Sequence, residues 1–289
     1  MRIAIIGGSG KMGRWFADFL LKDGKEVVIS GRNEEKLLET GRQLGVEVAS
    51  NVEAVKGADY ILLAVPIESF EEVVKQIGPC IQSGQVVIDV TSVKTLPVSM
   101  MHEHITGGSM LGAHSLFGPG ARNMVNQNFI LTPTSESERE LAQKVSRYLE
   151  TRGARVSLMT PREHDEMMSI ILGLAHFIAI VSADTLLGSD RLREMEAVSG
   201  ITYKVLLTLV ESVISEDPEL YASLQMNLPG TAEIEELFQK KAKEWTDLVA
   251  SKDRQEFIRR MKALKDGFET SAPDFGKAYA NMYRLVEGL

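Results

Sequence analysis

The chain has 289 residues, and because domains commonly contain about 100–200 residues, two domains are expected. Its 32 basic and 40 acidic side chains give a net charge of −8, which argues against a nucleic-acid binder that relies on a basic face. With 44% hydrophobic and 25% charged residues, the composition is that of a folded globular protein and not of a disordered one.

The single cysteine and the lengths of the apolar segments bear on the cellular compartment of the protein. Cys80 is the only cysteine, which excludes an intrachain disulfide and a cysteine-based zinc site, and no metal site is predicted. The first apolar run, Ile3–Ile6, is too short for the core of a signal peptide. The most apolar segment, Ile170–Val181, is interrupted by His176 and is expected to fall short of a membrane span. These features predict a soluble, cytoplasmic protein.

Short apolar runs alternate with amphipathic segments in the first half of the chain. The runs are rich in Val, Ile and Leu, as in strands that are buried on both faces of a parallel sheet. They are Ile3–Ile6, Val27–Ser30, Tyr60–Val65, Val86–Val90, Met110–Gly112 and Phe129–Leu131. The helical segments between them are Met12–Lys22, Glu34–Leu44, Phe70–Ile77 and Ser137–Thr151. This alternation predicts an α/β fold, with a Rossmann-like parallel sheet domain over residues 1–159.

The strand pattern stops after Val156, and helical patterns follow. Thr160 has the character of an N-cap, with Pro161 at the first helical position and Glu163 three residues after the cap. The helix that begins there is predicted to run to Leu187, and Tyr203–Ser215 and Ile234–Leu264 are predicted to be further helices. Residues 160–289 are therefore expected to form an all-α domain.

Two of these helical segments are apolar around nearly their whole circumference. Ile170–Val181 and Val205–Ile214 would each need burial on every side. A domain of this size has too little interior to bury both. We therefore expect a homodimer that forms through the helical domain.

A glycine-rich turn follows the first strand and opens the first helix. Its residues are Gly8, Ser9, Gly10, Lys11, Met12 and Gly13. Glycines in this strand–turn–helix context allow close approach of a pyrophosphate, which the N-terminus of the helix then stabilises. Residues 1–159 carry 17 basic and 18 acidic side chains, whereas residues 160–289 carry 15 and 22, so the first domain is the better acceptor of an anion. The turn predicts a dinucleotide site.

The end of the second predicted strand bears on the choice of dinucleotide. An NAD site usually has an acidic residue about 20 residues after the glycines, where it binds the ribose 2′-hydroxyl. Here the strand ends in Ser30-Gly31-Arg32-Asn33, and Arg32 is suited to a 2′-phosphate. We predict NADP, with NAD as the alternative. Val65 and Pro66 end another strand and are expected to contact the cofactor, mainly by packing.

Four further motifs carry a resemblance to a known family. They are Asp89–Lys94 (DVTSVK), Gly112–Pro119 (GAHSLFGP), His164-Asp165 followed by His176, and Asp217–Tyr221 (DPELY). Together with the glycine turn they make the chain resemble the prephenate/arogenate dehydrogenase family of tyrosine biosynthesis over essentially its whole length. The resemblance implies a Rossmann-like domain followed by a dimeric helical domain.

The resemblance also implies a reaction, the NAD(P)-dependent oxidative decarboxylation of prephenate to 4-hydroxyphenylpyruvate. A hydride leaves the ring carbinol carbon for the nicotinamide, and His114 assists at the hydroxyl. His114 follows a predicted strand, at the edge where open α/β sheets bind ligands. Ser92 is implied to lie near the nicotinamide and the substrate hydroxyl, and His176 to position substrate or nicotinamide. His164, beside Asp165, is interpreted as structural.

The substrate anchors depart from the family pattern. Lys94 is a candidate for holding a substrate carboxylate. The family usually has an arginine in the helix before the DPELY motif, and the matching position here is Ser212. Lys204, two turns earlier, is the candidate replacement, although an ammonium cannot copy a bidentate guanidinium. Gln225 is a further candidate for a polar contact with the substrate.

Several alternatives remain at this point. The substrate could be arogenate instead of prephenate. The chain could be another NADP-dependent reductase, of the F420-dependent or 6-phosphogluconate-dehydrogenase-like class, but these enzymes do not predict the combination of Ser92, Lys94 and His114. A non-catalytic NADP-sensing module would bind NADP without turning over any cyclohexadienyl acid.

Overall fold

A computed structural model describes residues 1–287 and divides the chain into two compact units, residues 1–168 and the residues from Ser169 onward. The division lies nine residues after the predicted boundary at 159/160. The difference is the helix Pro161–Met168, whose His164 and Asp165 bond to residues of the first unit. The capping box predicted at the start of this helix is present, because Thr160 and Glu163 exchange hydrogen bonds.

The first unit is an eight-stranded sheet with helices between its strands. The strands are Arg2–Ile6 (β1), Glu26–Ser30 (β2), Glu47–Val48 (β3), Tyr60–Leu63 (β4), Val86–Asp89 (β5), Ser109–Ser115 (β6), Asn128–Thr132 (β7) and Arg155–Leu158 (β8). Their spatial order is β3-β2-β1-β4-β5-β6-β7-β8. The helices of this unit are Lys11–Lys22 (α1), Glu34–Leu44 (α2), Asn51–Val55 (α3), Phe70–Ile77 (α4), Thr95–His104 (α5), Glu136–Glu150 (α6) and Pro161–Met168 (α7).

The α/β prediction is confirmed, and all six predicted strands are present. Two strands escaped the sequence patterns. β3 has two residues, too few for a pattern, and β8 is mostly exposed, so it has no continuous apolar run. The sheet is parallel except at one place, where β7 pairs antiparallel with β6.

The central strands are buried, as their apolar runs require. Ile5, Ile29, Ile61 and Leu63 have essentially no exposed surface. Each such side chain contributes about 1.5–3 kcal/mol by leaving water. Polar residues therefore appear mainly where the strands end, and the candidate site lies there.

The second unit is helical over the residues that the structure describes. After a π-helical turn, Ser169–Leu174, its helices are Ala175–Leu187 (α8), Leu192–Ala197 (α9), Ile201–Ile214 (α10), Pro218–Asn227 (α11), Thr231–Ser251 (α12), Arg254–Ser271 (α13) and Ala278–Glu287 (α14). The single helix predicted over Ile234–Leu264 is wrong, because two helices meet there. Lys252 adopts a left-handed conformation with φ 55°, and the Asp253 side chain caps α13.

The stretch Pro161–Leu187 is helical throughout and, within residues 1–287, is the one helix long and apolar enough to cross a membrane by length and composition. The prediction that this region falls short of such a span is therefore wrong. One such helix is by itself weak evidence for a membrane. Only 17% of its most apolar window is buried within the chain.

Candidate functional site

The predicted site residues of the first unit lie along one edge of the sheet. Strand pairing aligns Ser30, Ile6, Leu63, Asp89 and Gly112 in a single row across β2, β1, β4, β5 and β6. These five strands are parallel, so the residues that follow the row all emerge at the same edge. Two or three positions beyond the row are Arg32, Gly8, Val65, Ser92 and His114. The fold thus brings to one edge residues that the sequence distributes over more than 100 positions.

The glycine turn is tightly packed between strand and helix. A Cβ atom on Gly8 would lie 2.6 Å from the Cβ atom of Ile29, and one on Gly13 would lie 2.3 Å from the carbonyl oxygen of Gly7. A Cβ atom on Gly10 would meet only the Gly7 carbonyl oxygen, at 3.2 Å. Gly10 is also the N-cap of α1, where unpaired backbone N–H groups point outward. This geometry fits the pyrophosphate of a dinucleotide, which Lys11 and Met12 would meet at the first positions of the helix.

The remaining cofactor candidates flank this turn. Val65 contacts the turn, since a Cβ atom on Gly7 would lie 3.1 Å from its side chain, and Pro66 is exposed beside it. Ser9 is buried against Gly31 at the end of β2. Arg32 follows with an exposed side chain.

The central feature of the edge is a chain of three buried polar side chains. The Nδ1 atom of His114 lies 2.8 Å from the Nε2 atom of His164. The Nδ1 atom of His164 in turn lies 2.7 Å from an Asp165 carboxylate oxygen. The exposed fractions of His114, His164 and Asp165 are 4%, 0% and 2%. The interpretation of His164 as merely structural therefore misses its hydrogen bond to His114.

Asp165 is held in its charged form by backbone donors. Its two carboxylate oxygens accept hydrogen bonds from the backbone N–H groups of Lys94 and Thr95, each at 2.8 Å. These groups are at the N-terminus of α5, where the helix dipole favours an anion. Burial raises the pKa of Asp165, but the hydrogen bonds from His164 and Thr95 outweigh burial and hold it below its usual value.

The two histidines are neutral. Burial, reinforced by the neighbouring His164 and Lys94, lowers the pKa of His114 well below its usual value. Burial also lowers the pKa of His164, although its hydrogen bond with Asp165 opposes this shift. Both imidazoles therefore lack a proton on one ring nitrogen at neutral pH.

The hydrogen-bond chain assigns the tautomers of these rings. An ionised carboxylate only accepts hydrogen bonds, so the Nδ1 atom of His164 is the donor to Asp165. The Nε2 atom of His164 must then accept, and the Nδ1 atom of His114 donates to it. The Nε2 atom of His114 is left with a lone pair, and no hydrogen bond to this atom is found within residues 1–287. His114 can therefore act as a base at this edge of the sheet.

Lys94 does not have the predicted role. Its side chain has no exposed surface, and its Nζ atom forms an ion pair with Asp89 and donates to the carbonyl oxygen of Ala113 at 2.7 Å. Burial raises the pKa of Asp89 and lowers that of Lys94, and their pairing opposes both shifts. The prediction that Lys94 holds a substrate carboxylate is therefore wrong, because its ammonium faces no open space. Ser92, in the same loop, is partly exposed.

Three of the predicted site residues belong to the helical unit: His176, Gln225 and Lys204. His176 on α8 packs edge-to-face on Tyr221 of α11 at 4.9 Å, and burial lowers its pKa. Its Nδ1 atom is buried and has no hydrogen-bond partner within the described residues. Gln225 donates to the carbonyl oxygen of Gly173 at 3.0 Å, and its Oε1 atom is likewise buried without a partner there.

Both Lys204, the candidate anchor on α10, and Ser212, the position that matches the family's arginine, are exposed. Ser212 donates to the carbonyl oxygen of Leu209 in its own helix and supplies no positive charge. The side chain of Lys204, on the same helix, carries a positive charge. Among residues 1–287, no cluster of three or more His, Cys, Asp or Glu side chains could hold a metal ion.

Comparison with known proteins identifies the family. Residues 16–158 match the family model for the nucleotide-binding domain of prephenate dehydrogenase, and residues 160–263 match that for its dimerization domain. A probable arogenate/prephenate dehydrogenase from Methanocaldococcus jannaschii is 35% identical over 94% of this chain, and this chain spans 62% of that relative's length.

Solved structures share the fold. Prephenate dehydrogenase from A. aeolicus, in complex with hydroxyphenyl propionate and NAD+, has a TM-score of 0.77 at 21% identity, with 93% of this chain and 98% of that chain covered. Arogenate dehydrogenase from Synechocystis has a TM-score of 0.72 at 20% identity, with 94% and 100% covered. The chain belongs to the prephenate dehydrogenase family.

Proposed function

We propose that this chain catalyses the NAD(P)-dependent oxidative decarboxylation of prephenate to 4-hydroxyphenylpyruvate. The observation that carries the proposal is the buried, neutral His114, whose Nε2 lone pair lies at the same sheet edge as the glycine turn. A base at this place suits the removal of a hydroxyl proton next to a bound nicotinamide. Membership of the prephenate dehydrogenase family supports this reading.

The roles of the residues follow from the chemistry of the substrate. When bound, the dinucleotide supplies the acceptor for the hydride of the ring carbinol carbon. His114 accepts the hydroxyl proton at Nε2, so that the carbinol oxygen becomes a carbonyl. As the ring carboxylate leaves as CO2, its bonding electrons make the ring aromatic, and the phenolic oxygen takes the proton back from His114. We assign Ser92 to orienting the substrate hydroxyl, because its loop follows the strand next to that of His114.

For the cofactor we propose NADP in preference to NAD. The supporting observation is that the loop after β2 carries the exposed Arg32 and no carboxylate between Ser30 and Asn33. Asn33 is engaged in capping α2, where its side chain accepts from the backbone of Lys36 at 2.9 Å. Arg32 is thus the side chain that we assign to the 2′-phosphate.

We further propose that His176, Lys204 and Gln225 contact the substrate. The buried, unpaired Nδ1 atom of His176 and Oε1 atom of Gln225 support this assignment, since such atoms call for a polar partner. Lys204 is the cation proposed for α10 in place of the family's arginine.

We also propose that the protein is cytoplasmic.

We also propose that the protein is a homodimer. Within the single chain, Ile171, Val181 and Ile214 are 52%, 41% and 53% exposed, which is unfavourable in water. The match of residues 160–263 to a dimerization domain supports this proposal. Sedimentation equilibrium should give twice the chain mass of 31.9 kDa, and a monomer at micromolar concentration would contradict the proposal.

The reaction is tested by supplying prephenate and arogenate separately, each with NADP and with NAD. We expect reduced NADP, CO2 and 4-hydroxyphenylpyruvate to form in equal amounts from prephenate. Formation of tyrosine from arogenate alone would reassign the substrate. Normal NADP binding without reduction by either acid would overturn the proposed function and favour a sensing module.

A further inference from the structure

We propose that His164 and Asp165 form a proton relay behind His114: they take up the positive charge of His114 while His114 holds the substrate's hydroxyl proton at Nε2. The inference rests on the function proposed above and assigns these two residues positioning and charge-stabilising roles, because they act through His114. Its basis is geometric: three polar side chains, all at least 96% buried, are joined by hydrogen bonds of 2.8 and 2.7 Å.

The direction of the relay follows from its fixed end. The Asp165 carboxylate is anchored by two backbone N–H groups at the start of α5, so it cannot turn away from His164. The helix N-terminus stabilises its negative charge. Of the three groups, Asp165 is therefore the one that stabilises a positive charge on its neighbour.

Charge placement explains why one histidine is not enough. Protonated His114 would be a buried cation close to Lys94, whose Nζ atom donates to the carbonyl oxygen of the residue just before His114. Transfer of the Nδ1 proton of His114 to the Nε2 atom of His164 moves the positive charge to a ring whose carboxylate partner opposes the repulsion by Lys94. The charge then lies on a ring that contacts the Asp165 carboxylate at 2.7 Å.

The proton balance closes without an added acid or base. The hydroxyl O–H bond breaks and an N–H bond forms at Nε2 of His114, while the Nδ1 proton of His114 passes to Nε2 of His164. His164 keeps its own Nδ1 proton in the hydrogen bond to Asp165. When the carbon–carboxylate bond breaks, its electron pair reaches the ring oxygen through the ring. Both protons then move back, and the phenol and the neutral histidine pair are restored.

Two variants separate the relay from a merely structural role. His164→Gln places an amide oxygen near the former Nε2 atom, so it can still accept from His114 but cannot take a proton. Asp165→Asn removes the charge and keeps one oxygen, which can still accept from Lys94 and His164, while its amide nitrogen replaces the oxygen that accepts from Thr95. In the analogous Asp–His pair of serine proteases, loss of the carboxylate lowers kcat by about 10⁴-fold.

We expect kcat to fall by about 10–100-fold in His164→Gln and by about 100-fold or more in Asp165→Asn, with KM and the Kd for NADP changed less than about 3-fold. Glu166→Gln is the matched control, since it removes an exposed carboxylate from the next position of the same helix and should leave kcat unchanged. Asp165→Glu should restore part of kcat. The acid limb of the kcat profile of Asp165→Asn should move to lower pH, because loss of the anion makes both histidines less basic.

The tautomers provide a readout that does not depend on the substrate. Nitrogen-15 NMR of the five histidines of the wild-type protein should show two neutral rings protonated on Nδ1, of which the His164 signal alone should remain in His114→Asn, because Asp165 still accepts its Nδ1 proton. Wild-type kcat in either relay variant, or a proton on Nε2 of His164, would overturn the relay. Wild-type protein that turns over neither prephenate nor arogenate would instead refute the proposed function, and the chemical role of the relay with it.

Discussion

Replacement of Gly13 by alanine tests how the glycine turn is built. The added Cβ atom would lie 2.3 Å from the Gly7 carbonyl oxygen and 2.8 Å from the Cα atom of Gly8, and both are backbone atoms that cannot rotate away. Since ordinary contacts begin near 3.4 Å, the start of α1 must retreat from the turn by about 1 Å. Such overpacking costs about 1–3 kcal/mol. The better helix propensity of alanine offsets up to about 1 kcal/mol of this cost.

We therefore expect Gly13→Ala to lose about 1–2 kcal/mol of stability, and Tm to fall by about 2–8 °C in a thermal melt followed by circular dichroism. Gly10→Ala is the matched control, because its Cβ atom meets only the Gly7 carbonyl oxygen at 3.2 Å. It should keep Tm within about 2 °C, yet raise the Kd for NADP about 10-fold or more by obstructing the pyrophosphate. An unchanged Tm in Gly13→Ala, or an equal loss of stability in both variants, would refute this reasoning.

Three further predictions follow from the same edge of the sheet. Arg32→Ala should raise the Kd for NADP about 10-fold or more and that for NAD less than about 2-fold, measured by titration calorimetry; equal weakening would exclude a 2′-phosphate contact. Lys94→Met leaves Asp89 buried without its partner and should cost about 3–5 kcal/mol in urea unfolding, most of which Asp89→Leu in the same chain should restore. A single variant as stable as wild type would contradict the importance of that pair. Because the pKa of His114 lies well below its usual value, kcat/KM should stay level as the pH falls through about 6.5 and decline only in more acidic solution, where His114 gains a proton. An acid limb centred at or above that value would count against a buried, neutral base.

The sequence was sufficient for the features that depend on local pattern. Continuous apolar runs predicted the central strands, because both faces of those strands are buried. The positions of Gly8, Ser92 and His114 could be predicted to share an edge, because Gly8 and Ser92 follow parallel strands and His114 lies near the end of β6. The capping box at Thr160 needed only the spacing of three residues.

Long-range pairing of polar side chains was not predictable in this way. His164 is 50 positions from His114, and their hydrogen bond depends on how α7 packs, which no periodicity encodes. A signal was nevertheless present. The buried positions of α7 are His164, Asp165 and Met168, so two polar side chains lie on the buried face of this helix. Such residues need partners, and the partners prove to be His114 and the start of α5.

The ion pair between Lys94 and Asp89 is a second polar contact that the sequence interpretation missed. The place of Lys94 in the loop after β5 favours a substrate anchor, but Asp89 ends that strand within an apolar run and is fully buried. A buried carboxylate calls for a nearby cation, and Lys94 is five positions away. The composition of the strand thus contained the information that corrects the prediction.

The rate of hydride transfer in a single turnover tests most directly whether His114 is the base. Wild type and His114→Asn would each be saturated with NADP and mixed in excess over prephenate, and reduced NADP would be followed in a stopped-flow instrument. We expect the variant to bind NADP with the wild-type Kd and to transfer hydride about 100–10,000-fold more slowly, since general-base catalysis contributes about that factor. Hydride transfer at the wild-type rate in His114→Asn would contradict the account.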